Sequence, residues 1–228
     1  MVFVFVALGC TSASRAGLIL EQSPVRVGGP AADTLFRDQF GLIGWQLLAD
    51  NVQFDDPQTI RRIGWWGFYG GSGTPTTPPT GTETMRIRAY APRPGDMLPD
   101  SNNILYETEF TNHSRIATGE IIEVGGVPPE YYYQVDLPNP LRLEADTLYW
   151  LEIVQVGDIS TRFRWETAGG QQVGLAYLND HILDWQFTSD SLAFQLWRVP
   201  EPGTLPVALI IALLISRRNW GTRRCHQK

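Results

Sequence analysis

The stretch TMRIRAY, from Thr84 to Tyr90, places an apolar side chain at every second position. Successive side chains of an extended chain point to opposite sides, so this period of two predicts a β-strand with one buried and one partly exposed face. The buried face would carry Met85, Ile87 and Ala89, and the other face Arg86, Arg88 and Tyr90.

Similar short segments, separated by Gly, Pro, Asp and Asn, predict further strands along the body of the chain. TLYWLEIVQV, from Thr147 to Val156, is apolar on both faces and predicts a central strand that is covered on both sides. Gly70–Glu83, rich in Gly, Thr and Pro, predicts a long surface loop. The other strands are expected around Gln53–Phe54 and at Ile60–Tyr69, Ile104–Phe110, Gly119–Val124, Tyr131–Leu137, Leu148–Val156, Arg162–Thr167, Val173–Tyr177 and Leu192–Val199.

Eight to ten short strands, with no sustained helical periodicity and no alternation of strands with helices, predict an all-β domain. We expect a two-sheet antiparallel β-sandwich, jelly-roll-like, over residues 17–198. Hydrophobic residues make up 43% of the chain, which is enough for a sizeable core. Charged residues make up 18%, below the usual level of about 25%.

The body of the chain is acidic. Between residues 17 and 200, 12 Arg stand against 23 Asp and Glu, a net charge of −11. Phosphate binding requires clustered positive charge, so this balance argues against nucleic acid as a partner. The two cysteines, Cys10 and Cys225, lie in the terminal segments and leave the body without a disulfide or a thiolate metal site. The combination favours a soluble, exported bacterial domain.

Residues 1–16 have an apolar run followed by small residues, as in the last half of a secretory signal peptide. We expect cleavage near Ala13 or Ala16. Because the usual basic n-region is missing, either the true start lies upstream of Met1 or the segment is a buried N-terminal strand. Acylation of Cys10, as in a lipoprotein, is less favoured because an Ala stands three positions before it, where a larger aliphatic residue is usual.

Aromatic residues are concentrated in IGWWGFYGG, Ile63 to Gly71. Neighbouring residues of a strand face opposite ways, so Trp65 and Trp66 cannot both belong to the core. An exposed Trp beside Tyr69 would suit stacking on a sugar ring, and Trp165 has the same potential. These four residues are therefore the candidates for glycan stacking, against the simpler alternative that they pack inside the sandwich.

Two further aromatic groups could likewise either stack on a glycan or pack inside the sandwich. Trp185 lies next to Asp184, and Tyr131–Tyr133 is a run of three tyrosines. A strand through the run exposes at least one ring. Packing within the sheet explains the run more simply than a binding surface does.

Clustered acidic residues are the candidates for catalysis or calcium binding, and they occur in two places in the body. Neither group has the spacing of a calcium loop, and acids in turns or before Pro usually form solvated turns. The sequence contains no nucleophile elbow and no histidine-pair zinc motif. We expect no enzymatic activity and no cofactor, with calcium the one ion left open. The two groups are Asp55-Asp56-Pro57 and Asn179-Asp180-His181 with Asp184.

The segment after the body reads VPEPGTLPVALIIALLISRRNW, from Val199 to Trp220. As a helix, its apolar part Leu205–Ile215 would be about 16 Å long, against a membrane hydrocarbon core of about 30 Å. A basic pair, Arg217 and Arg218, follows and would remain on the cytoplasmic side. The run alone is therefore a marginal membrane anchor, with about half of the apolar length that a span needs.

This order of Pro-Glu-Pro, apolar run and basic pair resembles the PEP-CTERM sorting signal of exported bacterial proteins. The resemblance implies that residues 199–228 are a sorting signal with a short transmembrane helix, which a membrane protease-transpeptidase, the exosortase, recognises and processes. The body is similar in pattern to the β-sandwich that often precedes this signal, a family without established catalytic activity. The sorting motif would be Pro200, Glu201 and Pro202, and the basic stop Arg217 and Arg218.

These observations predict a noncatalytic protein that is exported and sorted to the cell envelope or extracellular matrix. There it would be structural or glycan-interacting. Its expected partners are the exosortase, the membrane before processing of the tail, and extracellular polysaccharide. A carbohydrate-binding module proper is the first alternative, and an extracellular hydrolase that uses a carboxylate pair is the less favoured one.

Overall fold

The computed structural model describes an all-β domain, with thirteen strands and no helix in the described residues. Those residues are 17–30, 32–37, 43–70, 76–123, 127–156, 162–169, 175–179 and 182–198. The strands are β1 (Leu18–Gln22), β2 (Asp33–Arg37), β3 (Ile43–Val52), β4 (Gln58–Tyr69), β5 (Met85–Pro92), β6 (Pro99–Phe110), β7 (Ser114–Ile121), β8 (Pro129–Leu143), β9 (Tyr149–Gln155), β10 (Phe163–Trp165), β11 (Leu175–Asn179), β12 (Ile182–Thr188) and β13 (Phe194–Arg198).

The expected signal peptide and sorting signal lie outside the described residues. The same is true of Cys10, Cys225, the Pro-Glu-Pro motif and the basic pair. Within the described ranges, no helix is long and apolar enough to span a membrane. Leu18–Arg198 forms one compact unit, and the description that follows concerns this unit.

The strands build two sheets. The front sheet has the order β1-β13-β4-β8-β7, with β10 paired to β4, and the back sheet has the order β12-β11-β3-β2-β9-β5-β6. The described pairings are antiparallel, except for one parallel bridge between Asp33 of β2 and Gln155 of β9. The predicted all-β architecture of two antiparallel sheets in a sandwich-like arrangement is confirmed.

The two sheets pack face to face through their apolar residues. β5 contributes Met85, Ile87 and Ala89 to this core, as the alternation of TMRIRAY predicts. β9 is buried at all seven positions and lies between β5 and β3, so the prediction of a central strand is also confirmed. Other core residues are Ile63, Trp65, Tyr133 and Phe194 from the front sheet and Leu48, Leu151 and Ile153 from the back sheet.

A second, smaller apolar cluster covers the outer face of the back sheet. The indole N–H of Trp150 donates to the Met97 carbonyl oxygen at 2.8 Å, and that of Trp185 donates to Ser101 Oγ at 2.9 Å. Trp185 therefore packs as a structural residue. The cluster explains why β9 is covered on both sides, and it consists of Ala49, Tyr90, Leu98, Trp150, Ala176 and Trp185.

The sequence patterns missed some elements and misplaced others. β1, β2 and β12 were not predicted. The strand expected around Gln53–Phe54 lies earlier, because β3 ends at Val52, and the strand expected at Gly119–Val124 corresponds to β7, which begins at Ser114 and ends at Ile121. The described part of the loop after β4, residues 76–84, contains no strand, as expected. It is not wholly a surface loop, however, because Glu83 is buried.

The edge strand β7 of the front sheet is exposed along its whole length. Its register with β8 shifts between Ala117 and Ile121. Gly119 lies inside this irregularity with a φ of 87°, a backbone conformation that residues with a side chain rarely adopt. The regular hydrogen-bond ladder of β7 is therefore confined to its first half.

Residues 24–29 pack closely against the strand β10, and Gly29 marks the tightest approach. A Cβ atom at Gly29 would lie 1.9 Å from the carbonyl oxygen of Trp165. We expect Gly29→Ala to lower the free energy of unfolding by about 1–3 kcal/mol, because the backbone must shift to admit the methyl group. Urea denaturation followed by tryptophan fluorescence measures the change. Gly81→Ala is the control, since a Cβ at Gly81 meets no atom within 4 Å, and an equal loss in both variants would contradict the prediction.

Candidate functional site

The register of the front sheet determines which side chains lie on its outer face. Ile63 and Trp65 of β4 point into the core, so Arg62, Gly64 and Trp66 point outward. The outer face thus combines aromatic rings, amides and an ion pair around a central glycine. The neighbours of these β4 residues are Tyr132, Gln134 and Asp136 of β8 and Gln195 and Trp197 of β13.

Trp66, Tyr132 and Trp197 form a continuous line of rings, here called the aromatic strip. The ring centroids of Trp66 and Tyr132 are 5.0 Å apart. Tyr132 and Trp197 meet above Gly64, where a Cβ atom would lie 2.2 Å from Tyr132 Oη and 3.0 Å from Trp197 Cη2. Each ring of the strip is half-buried, so it packs on the sheet and still presents surface to solvent.

Two glutamines hold the central ring of the strip. Tyr132 Oη donates to Gln195 Oε1 at 3.0 Å, and Gln134 Nε2 donates to Tyr132 Oη at 3.3 Å. Partial burial raises the pKa of Tyr132 above its ordinary value, so the hydroxyl remains protonated at neutral pH. The strip therefore combines apolar ring surface with amide and hydroxyl groups, which is the chemistry that suits a sugar.

An ion pair lies at the Trp197 end of the strip. Arg62 Nε and Nη2 donate to the two carboxylate oxygens of Asp136 at 2.6 and 3.1 Å. These hydrogen bonds lower the pKa of Asp136 below its ordinary value. Glu21 of β1 lies opposite Gln195 and close enough to Tyr132 to influence its titration.

Three of the four residues predicted to stack on glycans lie inside the sandwich. Trp65, Tyr69 and Trp165 are fully buried. Trp65 stacks on Tyr133 with ring centroids 5.2 Å apart. The buried position of these three rings corrects the stacking interpretation, because none of them reaches solvent. Trp66 is the candidate that faces outward, and its role in glycan stacking stays a prediction.

A buried polar network surrounds Glu83, which precedes β5. His113 Nε2 lies 3.0 Å from one carboxylate oxygen of Glu83, and Arg115 Nη1 donates to the same oxygen at 2.7 Å. Tyr69 Oη hydrogen-bonds to the other oxygen, and Tyr133 Oη donates to Tyr69 Oη at 2.8 Å. Burial raises the pKa of Tyr133 well above its ordinary value. The carboxylate of Glu83 thus joins residues of β4 and β7 with His113, while the other ring nitrogen of His113, Nδ1, is buried without a hydrogen-bond partner among the described residues.

A second buried group brings two carboxyl groups together on the front sheet. Glu130 and Glu166 are inaccessible to solvent, and Arg26 contacts both of them. Arg26 Nε lies 3.2 Å from Glu130 Oε2, and the Arg26 backbone N–H donates to Glu166 Oε1 at 2.7 Å. Burial, and then the charge of Glu130, raises the pKa of Glu166 to about 8.

The Glu130–Glu166 pair does not have the geometry of a glycosidase. Such enzymes separate their carboxyl groups by about 5 Å or by about 6.5–9.5 Å, which leaves room for the sugar and for water. Two carboxyl groups that solvent cannot reach leave no such room. The pair instead fastens residues 24–29 to the sheet.

The acidic groups singled out in the sequence do not converge on one site. Asp55 and Asp56 are exposed in a bend, and Asp184 pairs with Arg93 at 2.6 Å. Asp180 and His181 lie outside the described residues. Among the residues that the structure describes, no group of three or more His, Cys, Asp or Glu could hold a metal ion.

Residues 22–206 match a family described as a domain of unknown function, DUF7901. The chain belongs to the DUF7901 family. The match includes strands β2 to β13 of the sandwich and all three rings of the aromatic strip. No curated protein matches this DUF7901 chain.

Proposed function

We propose that this protein is an exported, noncatalytic β-sandwich protein that binds glycans through the aromatic strip at the cell surface or in the extracellular matrix. The observation that carries the proposal is the strip itself, three half-buried rings in a line with flanking amides on one open sheet face. Aromatic rings offer a large apolar surface at low conformational cost, and neighbouring amides and hydroxyls fix the orientation of a polar ligand.

The proposal includes a cellular location, which we call the address of the protein. Residues 1–16 would direct export, and residues 199–228 would form a PEP-CTERM signal whose short hydrophobic helix tethers the chain to the membrane until the exosortase processes it. The acidic, cysteine-free composition of the body supports export. The described chain crosses repeatedly between the two sheets, for example from β3 to β4, from β4 to β5 and from β8 to β9, and this supports the finer expectation of jelly-roll-like connectivity.

The address is tested in the native host by replacing Glu201 with Ala or by deleting residues 205–228. We expect both variants to lose surface display, and cell fractionation with intact mass measurement shows where the protein is and whether its tail is processed. The Glu144→Ala variant, altered at an exposed strand end, is the control and should be displayed normally. Unchanged display and unchanged mass in both tail variants would refute the address.

Glycan binding is tested by replacing each ring of the strip with alanine. We expect Trp66→Ala, Tyr132→Ala and Trp197→Ala each to weaken binding about tenfold or more, because stacking on one aromatic ring contributes about 1–3 kcal/mol. Affinity electrophoresis in polysaccharide gels measures the loss. Phe187→Ala is the matched control, since Phe187 is an exposed aromatic residue on the back sheet. Equal binding by all four variants would contradict the proposal.

The rival functions differ in what they require. A carbohydrate-binding module proper uses the same strip, but it would require a catalytic partner elsewhere in a larger assembly. A hydrolase requires two separated carboxyl groups beside the ligand. The described residues next to the strip include two carboxylates. Asp136 is paired with Arg62, and Glu21 lies on β1 opposite Gln195. The strip therefore favours binding without cleavage.

A further inference from the structure

The length of the aromatic strip indicates how much of a glycan it contacts. One end of the strip is Trp66 on β4. The other end is Trp197 on β13, which pairs with Arg62 of β4. Trp66 and Arg62 are four residues apart, which corresponds to about 13 Å of extended strand. The rings are continuous over this distance because Tyr132 and Trp197 meet above Gly64. A line of rings of this length exceeds one sugar ring and follows a chain.

The polar groups beside the strip suit hydroxyl groups. Gln195 Oε1 and Gln134 Nε2 are engaged with Tyr132. The other amide atoms, Gln195 Nε2 and Gln134 Oε1, have no hydrogen-bond partner among the described residues. One donor and one acceptor thus remain on either side of Gly64, and a sugar hydroxyl can pair with either.

The charges beside the strip do not suit an anionic glycan. Arg62 is neutralised by two hydrogen bonds to Asp136. Arg164, on the same face beyond Trp66, is half-buried and donates to the carbonyl oxygens of Gly70 and Gly29. Glu21 adds a negative charge near Tyr132. The arginines beside the strip, Arg62 and Arg164, are thus engaged. The exposed Arg61 and Arg198 near its Trp197 end belong to a body with a net charge of −11, which repels an anionic chain.

We propose that the aromatic strip binds an uncharged, linear glycan along its length, with at least two consecutive sugar residues in contact. This inference rests on the proposed function and specifies its ligand class. The flat faces of the sugars would stack on the rings of Trp66 and Trp197, while Gln134 and Gln195 pair with hydroxyl groups at the centre.

The test compares neutral with charged polymers, beginning with two cellulose derivatives that share a backbone. The purified full-length chain is run in affinity gels that each contain one polymer. The neutral set is hydroxyethyl cellulose, mannan and xylan, and the charged set is carboxymethyl cellulose, polygalacturonate and alginate. We expect retardation by at least one neutral polymer, unchanged by added salt, and none by the charged set. Charge-driven binding would instead weaken as salt screens it.

Two further measurements test the linear arrangement. Affinity for oligosaccharides cut from the retained polymer should rise with length from the disaccharide, and Trp197→Ala should remove most of that rise. Gly64→Ala should weaken binding about tenfold, as loss of a ring does, because its methyl group displaces Tyr132 and Trp197 while keeping both rings. The clash involves side-chain ends, so the unfolding midpoint of Gly64→Ala should change little.

The outcomes separate the inference from the proposed function. Binding to the charged polymers alone, weakened by salt and dependent on Trp66, would overturn the inference and leave the glycan-binding function standing. Binding that is equally strong for a monosaccharide and a long chain would overturn the linear arrangement. Failure to bind any polymer would refute the proposed function and the inference together.

Discussion

Glu83→Ala is expected to lower the free energy of unfolding by about 3–5 kcal/mol, the usual cost of removing one partner from a buried ion pair. Glu83 accepts hydrogen bonds from Arg115 and Tyr69 and contacts His113. Removing its carboxylate leaves these groups facing a cavity without an acceptor, and it also disturbs the Tyr69–Tyr133 contact.

Urea denaturation at neutral pH, followed by tryptophan fluorescence, measures this loss. Glu83→Gln should fall between wild type and Glu83→Ala, because the amide retains one oxygen acceptor and fills the same space. Glu144→Ala is the matched control at an exposed acid, where a change within about 0.5 kcal/mol is expected. Similar midpoints for Glu83→Ala and Glu144→Ala would show that the network contributes little to stability.

The domain is also expected to lose stability as the pH rises from about 5 to about 8. Asp50 is fully buried, and burial raises its pKa to about 7, against the opposing effect of hydrogen bonds from the backbone N–H groups of Leu192 and Asn51. The unfolded chain releases this proton near pH 4, whereas the folded chain keeps it until about pH 7.

The sign follows from proton uptake. Between these two pKa values the folded state binds more protons than the unfolded state, so the free energy of unfolding falls as the pH rises. A gap of about three pH units corresponds to about 4 kcal/mol. Glu166 acts in the same direction because its pKa is also raised. The carboxyl groups whose pKa is lowered by Arg partners, such as Asp136, titrate below this range.

Urea denaturation at several pH values between about 5 and about 8 tests this expectation. Asp50→Asn should reduce the slope of stability against pH, whatever constant loss the substitution causes by altering the bond to the Leu192 N–H. Asp55→Asn, at an exposed acid, should leave the slope unchanged. A stability that rises over this range in wild type would contradict the assignment.

The fold could be predicted from the sequence where the hydrophobic pattern within a single strand identifies that strand. The alternation in β5 and the continuous apolar run of β9 identify both strands and their faces without knowledge of their neighbours. β1 and β12 carry neither a clean alternation nor a continuous apolar run, and each is paired to another strand of its sheet. The alternation of Trp65 and Trp66 correctly places one ring inside and one outside, although it does not say which.

The candidate site was harder to predict because its members come from three strands. Trp66, Tyr132 and Trp197 are separated by at least 65 positions in the sequence and meet only through the pairing of β4 with β8 and β13. The sequence favours packing for all rings of Tyr131–Tyr133, and it gives no separate signal for Trp197. Glu83 was missed for a related reason, since a loop rich in Gly and Pro gives no indication of a buried carboxylate.

The irregular second half of β7 has a consequence for how the molecule associates. A long, flat, unpaired edge strand would offer a template to a second chain and lead to fibrous aggregates. The register shift around Gly119 interrupts that template at the edge of the front sheet. At this edge, the front sheet therefore offers a second chain only a short stretch of regular backbone, which limits edge-to-edge pairing through β7 when molecules are close together.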